Sequence, residues 1–599
     1  MSRELQIDEL SIPVPIGRVV PAGRSQLEAR SLLHCRTNGA DTLAMALFGL
    51  GVRRAFGVLG GAIAQFCAAL HRAGIEVIHA RHESGAAFMA TEAHFATDEP
   101  VVVYTTTGPG ATNALTGLVA GAWDGAKIIV VTGATELPER GRLAFQETGP
   151  RSLDLGSWLW DASNYLEYTI EDAGQIALVR QRLALNLAKP GGFLASLSFP
   201  LGVQGATARS VSPDVVTLSP PVGVCPALVE QVHERLCDGP FVIWVGFGAR
   251  EAAPQLLELA ERTGAPVMTS PRAKGVFPES HPQHLGVTGM FGGQPWVHDY
   301  FRANRPDHVL VLGSRLGQTT SCFDPTFAPR RAFIHVDIDA TTFGVAYPES
   351  ETLGVCAEIG ALLTGLNELD ASTFRDPELG GAASDAASLT KIPAAACELI
   401  DLDGPVHPSS LMAAIQRVIV ERSSAIVLAD AGNSFAWANA RLRFDRPGRY
   451  RTPSGFASMT NATSGVVGAA MASHAAAVAI VGDGAMLMSN EVSTAVQYSA
   501  DAKWIVLNDA SYGMVRHGML AVGMEPRGTA IPPTNFAMLA TALGATGIRV
   551  SSARELDEAL VKMMQTPGPV IVDVAMDLNP PPPFGRRNEI LTHGWERHE

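Results

Sequence analysis

From about Asn38 onward, apolar positions along the chain alternate between two spacings. Short runs rich in Val, Ile and Tyr have strand length, and between them lie longer stretches whose apolar residues recur three and four apart, as on one face of a helix. In the first unit the pattern predicts a helix over Thr42 to Leu50, a strand over Ala55 to Leu59, a turn at Gly60-Gly61 and a helix over Ala62 to Ala73. It continues with a strand over Glu76 to Ala80, a helix from Ser84, a strand over Val101 to Thr105, a turn at Gly108-Pro109-Gly110, a helix, and a strand over Lys127 to Thr132. A second unit carries predicted strands at Phe241 to Val245, Pro266 to Thr269, His308 to Leu312 and Ala332 to Asp337. In a third, one apolar run ends at Gly482-Asp483-Gly484, a helix-length segment follows, and a second run, Lys503 to Leu507, ends at Asn508-Asp509. Strands separated by helices imply parallel sheets wound on both faces.

Breaks in the pattern divide the chain. Residues 205–225 are rich in Ser, Pro and Val; residues 371–405 combine Gly380-Gly381, many Ala and Ser, and Pro393. The expected organisation is an N-terminal extension over 1–36, α/β units over 37–205, 226–370 and 406–577, and a tail over 578–599. The tail opens with Pro580 to Pro583 and should be extended rather than helical.

Composition narrows the picture. A chain of 599 residues, 47% hydrophobic, is long enough for three proper cores. A net charge of −14, with no basic stripe carrying interleaved aromatics, argues against nucleic acid as a partner. There is no apolar run of membrane-spanning length, and the first 36 residues mix acids, prolines and arginines instead of forming a signal-peptide core. The cysteines, at 35, 67, 225, 237, 322, 356 and 397, are odd in number and scattered, with no CxxC pair. That distribution suggests a reducing, cytoplasmic compartment and no structural zinc.

Candidate chemistry starts at the ends of strands in the third unit. Asp483 and Asp509 each follow an apolar run, so in a parallel sheet both fall on the carboxyl edge, where such folds bind ligands. Two hard oxygen donors beside the Gly482 to Gly484 turn could hold Mg²⁺ that also coordinates a diphosphate. Gly-Asp-Gly equally makes ordinary turns, so spacing alone leaves both readings open.

The segment from Gly482 to Asp509 resembles the thiamine diphosphate motif, and Arg81-His82-Glu83-Ser84-Gly85-Ala86-Ala87 resembles the element that carries the glutamate of those enzymes. Thr106-Thr107-Gly108-Pro109-Gly110-Ala111-Thr112-Asn113 and Leu143-Ala144-Phe145-Gln146-Glu147-Thr148 are similar to elements of acetohydroxyacid (acetolactate) synthases. Taken alone, Glu83 also reads as an acid at a helix start, Gly108 to Gly110 as a tight turn, and Phe145-Gln146 as a surface loop. The resemblance implies a fold of three doubly wound parallel-sheet α/β domains: pyrimidine-binding, central and diphosphate-binding. It further implies thiamine diphosphate and Mg²⁺ as cofactors, the metal held by Asp483, Asp509 and the carbonyl of Ser511. The motif's commoner second ligand is Asn; Asp509 offers the same hard oxygen.

By the same resemblance Glu83 bonds N1′ of the aminopyrimidine and promotes proton removal at the thiazolium, and Gln146 orients substrate. Gly60, Gly61, Gly108, Asn113, Asn433, Ser434, Gly482, Gly484 and Met514 line the cofactor, and Phe145, Val515, Arg516, His517 and Gly518 contact substrate. Where the branched-chain synthases place a tryptophan, this chain has Gly518, which implies room for a bulkier substrate unless another side chain fills it. Thr463 aligns with the residue that props the bent cofactor, with Met459 nearby, so the prop stays unassigned. The middle unit has Gly246-Phe247-Gly248 and Ser270 to Gly275 where the synthases bind FAD, but Arg315-Leu316-Gly317-Gln318-Thr319 and Phe291 depart from their pattern, favouring an empty or vestigial groove over bound FAD.

The activity implied is a carboligase: it decarboxylates a 2-oxo acid, pyruvate or a larger analogue, and transfers the acyl unit to a carbonyl or acyl acceptor, giving an acyloin or 2-hydroxy-3-oxo product. The alternatives are a non-oxidative decarboxylase that releases aldehyde and a catalytically silent regulatory subunit. Histidines that serve the decarboxylases as proton donors are not apparent, which favours carboligation. A homodimer or homotetramer is implied, with each site shared between subunits.

Overall fold

The computed structural model describes residues 37–148, 164–208, 224–370, 374, 403–453, 455–489, 491–584 and 587. The expected N-terminal extension lies outside them, as does most of the second linker. The described chain forms three six-stranded sheets, parallel throughout, and a two-stranded antiparallel pair that closes the first unit by joining Thr37–Asn38 to Thr207–Ala208.

The outer sheets share one winding order and the middle sheet has another. In the first, the spatial order is Glu76–His79, Arg54–Gly57, Val101–Thr105, Lys127–Ala134, Phe193–Pro200, Tyr165–Thr169. In the third it is Tyr450–Arg451, Ile426–Ala429, Ala477–Gly482, Ala502–Asn508, Val570–Ala575, Thr546–Val550. Both read 2-1-3-4-6-5 along the chain, whereas the middle sheet, from His284–Val287 to Glu351–Cys356, reads 3-2-1-4-5-6, the dinucleotide-fold order. In each case the winding reverses beside the first strand, opening a crevice at the carboxyl edge there.

Strand predictions at the centres of the sheets agree with the structure, whereas helix starts differ by a residue or more. The first helix spans Gly39–Gly49, because Asn38 accepts from the Asp41 amide and caps it ahead of the apolar stripe. The segment after Gly484 breaks into Asp483–Leu487 and Glu491–Gln497. Edge strands such as Tyr165–Thr169, half-exposed and only weakly alternating, escape the apolar pattern.

The first and third units pack directly on each other. Helix Glu83–Thr97 crosses helix Asn461–Ser473, and small residues allow the backbones to approach. A Cβ on Gly468 would run into the carbonyl of Met89, one on Gly465 would sit 2.7 Å from Glu92 Cγ, and the cluster around this crossing joins Ala86, Ala90 and Ala93 to Ala462, Val466 and Ala469 in one core. Glu491 of the third unit reaches the N-terminus of helix Glu83–Thr97, accepting from the backbone amides of Arg81 (3.2 Å) and His82 (3.1 Å) and from Thr494 Oγ1 (2.6 Å). A carboxylate is electrostatically favoured there.

Because the crossing is overpacked by any side chain at Gly468, replacement by Ala should lower stability by about 1–3 kcal/mol, and by Val more. Urea unfolding of the two variants would measure this; midpoints equal to that of the unmodified chain would show that the helices can separate freely.

Candidate active site

Three neighbouring strands of the third sheet deliver the candidate residues. Ile426–Ala429 leads into Asp430, Ala477–Gly482 into Asp483, and Ala502–Asn508 into Asp509, all on the carboxyl edge. Beyond them lies a cavity of ≈ 300 Å³. Its wall includes Gly432, Asn433 and Ser434 from one loop, Gly482 to Ala485 from the next, and Asp509 with Ser511 to Val515 from the third.

The cavity is built for an anion. Helices Asn433–Arg441 and Gly513–Ala521 both start at its wall and neither carries a side-chain cap, so their positive dipole ends lie at the space, although the Gly513 amide itself donates to the Ser511 carbonyl at 2.8 Å. Gly482 lines it too, and a Cβ there would meet nothing within 4 Å. Asn433 Oδ1 is buried without a hydrogen-bond partner among the described residues, an acceptor left for a donor rather than for the anion.

Asp483 and Asp509 supply the complementary site for a cation. Burial raises the Asp483 carboxyl to about 6, against the pull of backbone amides that include Gly484 (2.7 Å) and Ser511 (3.3 Å). Asp509 is raised further, to about 7, by burial and by repulsion from Asp483. Two carboxylates that resist sharing charge would be relieved by a divalent ion. Among the described residues no cluster of three or more His, Cys, Asp and Glu side chains exists. Asp483 and Asp509 thus offer two hard carboxylate oxygens, the donor type that a divalent cation shared with a diphosphate would take. Ala510, between Asp509 and Ser511, holds φ at 52°, a left-handed conformation that costs a non-glycine residue free energy and turns the loop here. Gly513 permits the approach of its neighbours, since a Cβ would stand 2.6 Å from Asn433 Nδ2 and 2.8 Å from Asp509 Oδ2.

A second wall forms in the first unit. Glu83 is the first residue of its helix and only 7% exposed, and it accepts from Asn113 Nδ2 at 3.1 Å. Beside it, a Cβ on Gly110 would lie 3.3 Å from Glu83 Oε1 and 2.9 Å from Thr106 Cγ2, and one on Gly60 would lie 2.5 Å from Thr106 Cβ. Gly108, at φ 59°, backs onto Gln146, itself at φ 52°, and Thr107 Oγ1 donates to Gln146 Oε1 at 3.3 Å. Glu83, Gly60, Gly108, Asn113 and Gln146 thus come together, while Gly61 has no such neighbour and Phe145 is 88% exposed.

Within one chain the two walls stay apart: no residue before Phe291 lines the cavity. Of the residues expected to meet substrate, Val515 and His517 line it, but Arg516 does not. Arg516 Nη1 instead donates to the carbonyl of Leu578 (3.3 Å), the same oxygen that faces His517 Nε2 at 3.0 Å. Gly518 is not open: a Cβ there would sit 2.7 Å from Arg587 Nη1. Sequence reasoning missed Arg587, because nothing in a stretch outside the regular pattern marks it as a site residue. Met459 lines the cavity, whereas Thr463 turns to Asp430, donating to its Oδ2 at 2.5 Å.

Comparison with known proteins agrees with this geometry. Residues 37–153 match the thiamine pyrophosphate (diphosphate) enzyme N-terminal TPP binding domain, 240–366 the central domain, and 430–574 the C-terminal TPP binding domain. The chain belongs to the thiamine diphosphate enzyme family. Within that family it is similar to the acetolactate synthase isozyme 2 large subunit of Escherichia coli, at 28% identity over 90% of this chain and 96% of that protein. It is also similar to the acetolactate synthase large subunit of Corynebacterium glutamicum (29%; 91% and 87% of the two chains) and to chloroplastic acetolactate synthase 2 of Nicotiana tabacum (28%; 93% and 85%). It is a thiamine diphosphate-dependent, acetolactate synthase-like enzyme, and the first and third sheets, with their shared winding, are the two domains that these family descriptions assign to cofactor binding. No described helix is long and apolar enough to cross a membrane.

Replacing Asp483 by Asn should weaken Mg²⁺-dependent binding of thiamine diphosphate by at least about tenfold, the loss of a charge-assisted contact. Calorimetric titration with and without Mg²⁺ measures this; equal affinities would remove Asp483 from the metal site.

Proposed function

We propose that this enzyme decarboxylates a 2-oxo acid and transfers the acyl unit to a carbonyl or acyl acceptor, releasing CO₂ and forming an acyloin or 2-hydroxy-3-oxo product. The observation that carries the reading is that one chain holds both a two-carboxylate cavity and, apart from it, a buried glutamate wall of the kind the resemblance implies. Thiamine diphosphate, when bound, supplies the nucleophilic carbon and the electron sink.

The chain's own residues do the rest. Asp483, Asp509 and the Ser511 carbonyl would hold Mg²⁺, and the uncapped helix starts at Asn433 and Gly513 would receive the diphosphate. Glu83, screened from water and oriented by the Asn113 amide, is the carboxyl that would exchange a proton with the cofactor's aminopyrimidine. Gln146, held by Thr107, presents an amide to the reacting carbonyl. Met459, rather than Thr463, is the side chain that would pack against the cofactor, since it lines the cavity while Thr463 is bonded to Asp430.

Both walls are needed, so the working unit is at least a homodimer in which a second copy brings its Glu83 wall to this cavity. The apolar loop side chains Leu143 and Phe145, 96% and 88% exposed, suit burial in that contact. The larger substrate pocket expected at Gly518 loses its simplest support, because Arg587 occupies that space.

The crevice beside the first strand of the middle sheet leads to cavities of ≈ 490 Å³ and ≈ 410 Å³ that share Trp123, Phe247, Arg272, Gly313 and Arg315. Arg315 Nη2 donates to the Trp123 carbonyl at 2.6 Å and its guanidinium lies 5.4 Å from the indole centroid. A ligand running through both spaces would have to break that contact, which supports a groove without FAD.

Mass spectrometry of products from a panel of 2-oxo acids, aldehydes and acyl-CoA esters tests the reaction; aldehyde alone, with acceptors present, would establish the decarboxylase instead. Glu83→Gln should lower kcat roughly 10²- to 10⁴-fold, and unchanged turnover would remove the mechanism. The purified protein should show no flavin absorbance band; a stoichiometric band would overturn the FAD-free reading.

A further inference from the structure

The tail enters the active-site cavity. Phe584 and Arg587 follow the proline run, with the Arg587 amide donating to the Phe584 carbonyl at 3.1 Å. The run is pinned by the Gly292 amide, which donates to the Pro583 carbonyl at 2.8 Å, and at its base by the Leu578 carbonyl, which meets Arg516 and His517. These anchors set the Arg587 guanidinium at the cavity wall, 5.0 Å from the Phe584 ring centroid and 6.0 Å from that of Phe291.

Its Nη1 is buried and has no hydrogen-bond partner among the described residues. A guanidinium nitrogen shut away from water with no acceptor is costly unless an anion arrives to pair with it. Gly518 is what admits it, because a Cβ there would lie 2.7 Å from Nη1 and 3.2 Å from Nη2. The diphosphate is not the natural anion for this group. The proposed diphosphate contact is the start of helix Gly513–Ala521, whereas Gly518, against which Arg587 lies, is five residues further on, about 7.5 Å along the axis.

We propose that Arg587 is a specificity-determining residue that receives a substrate carboxylate retained through the reaction. The inference rests on the 2-oxo acid reading and refines it. A guanidinium on the carboxylate that departs would stabilise the anion and oppose its loss as neutral CO₂. On a carboxylate that stays, it positions the molecule without that penalty. The substrate that meets Arg587 is therefore an acid that keeps its carboxylate, as an acceptor 2-oxo acid does and a simple aldehyde acceptor cannot.

The test uses the full-length protein and oxamate, an unreactive 2-oxo acid mimic, followed by calorimetry. The unmodified chain should bind oxamate, and Arg587→Met should weaken that binding roughly 10- to 100-fold. Arg587→Lys should restore part of it. Gly518→Ala, which displaces the flexible end of Arg587 without removing it, should weaken binding in the same direction and add little to Arg587→Met. Thiamine diphosphate affinity should be the same in all of them. With acceptors, KM for the acid should rise in Arg587→Met while KM for a neutral aldehyde stays level. Absence of oxamate binding by the unmodified chain, equal oxamate affinity in Arg587→Met, or a parallel loss of thiamine diphosphate affinity would each overturn the assignment. If oxamate binding depends on Arg587 but the product panel shows no ligation, the reaction reading fails and the carboxylate assignment stands.

Discussion

The contact on which the rest of the molecule depends is the crossing of helix Glu83–Thr97 with helix Asn461–Ser473. It brings two separately wound sheets into one apolar core, and it does so through glycines and alanines whose missing atoms let the backbones touch. The same helix that is clamped here begins with Glu83, so the position of the candidate acid is set by the domain interface. Glu491 completes the arrangement by lending a carboxylate from the third unit to that helix's N-terminus. Within this frame Glu83 needs only Asn113 to fix its orientation.

The cavity follows from winding order. Reversal beside the first strand of the third sheet leaves a crevice, and the loops that border it end in helix starts that carry no side-chain cap. In the reading proposed here an anion would be met by backbone and a cation by side chains, since Asp483 and Asp509 repel each other at a cost that a metal would offset. The first sheet has the same winding, yet its crevice is walled by Glu83, Gly110, Thr106 and Gln146 and lacks an acidic pair. One topology thus provides two chemically different half-sites, and their separation within a chain makes association a condition of catalysis in the reading proposed here.

The tail shows how a departure at one position is absorbed at another. Gly518 removes a side chain from the cavity wall and Arg587, some seventy residues on, takes the space. A change of volume becomes a change of charge, and what would have been a size question turns into one of recognition. Arg516 and His517, expected at the substrate, hold the base of that tail by the Leu578 carbonyl. In the middle domain Arg315 similarly spends its guanidinium on Trp123 across the groove.

Sequence alone determined the three parallel-sheet domains, because buried strands must be apolar and their helices periodic, and both are local signals. It also placed Glu83, Asp483 and Asp509, since each stands at the end of a strand or the start of a helix in a recognisable run. It did not show the different winding of the middle sheet, which depends on which strands pair and not on what each contains. Nor did it assign the fillers of space: Met459 rather than Thr463 at the cavity, and Arg587 at Gly518. Such contacts join residues distant along the chain through volumes that only the packed structure defines, so no spacing rule could find them.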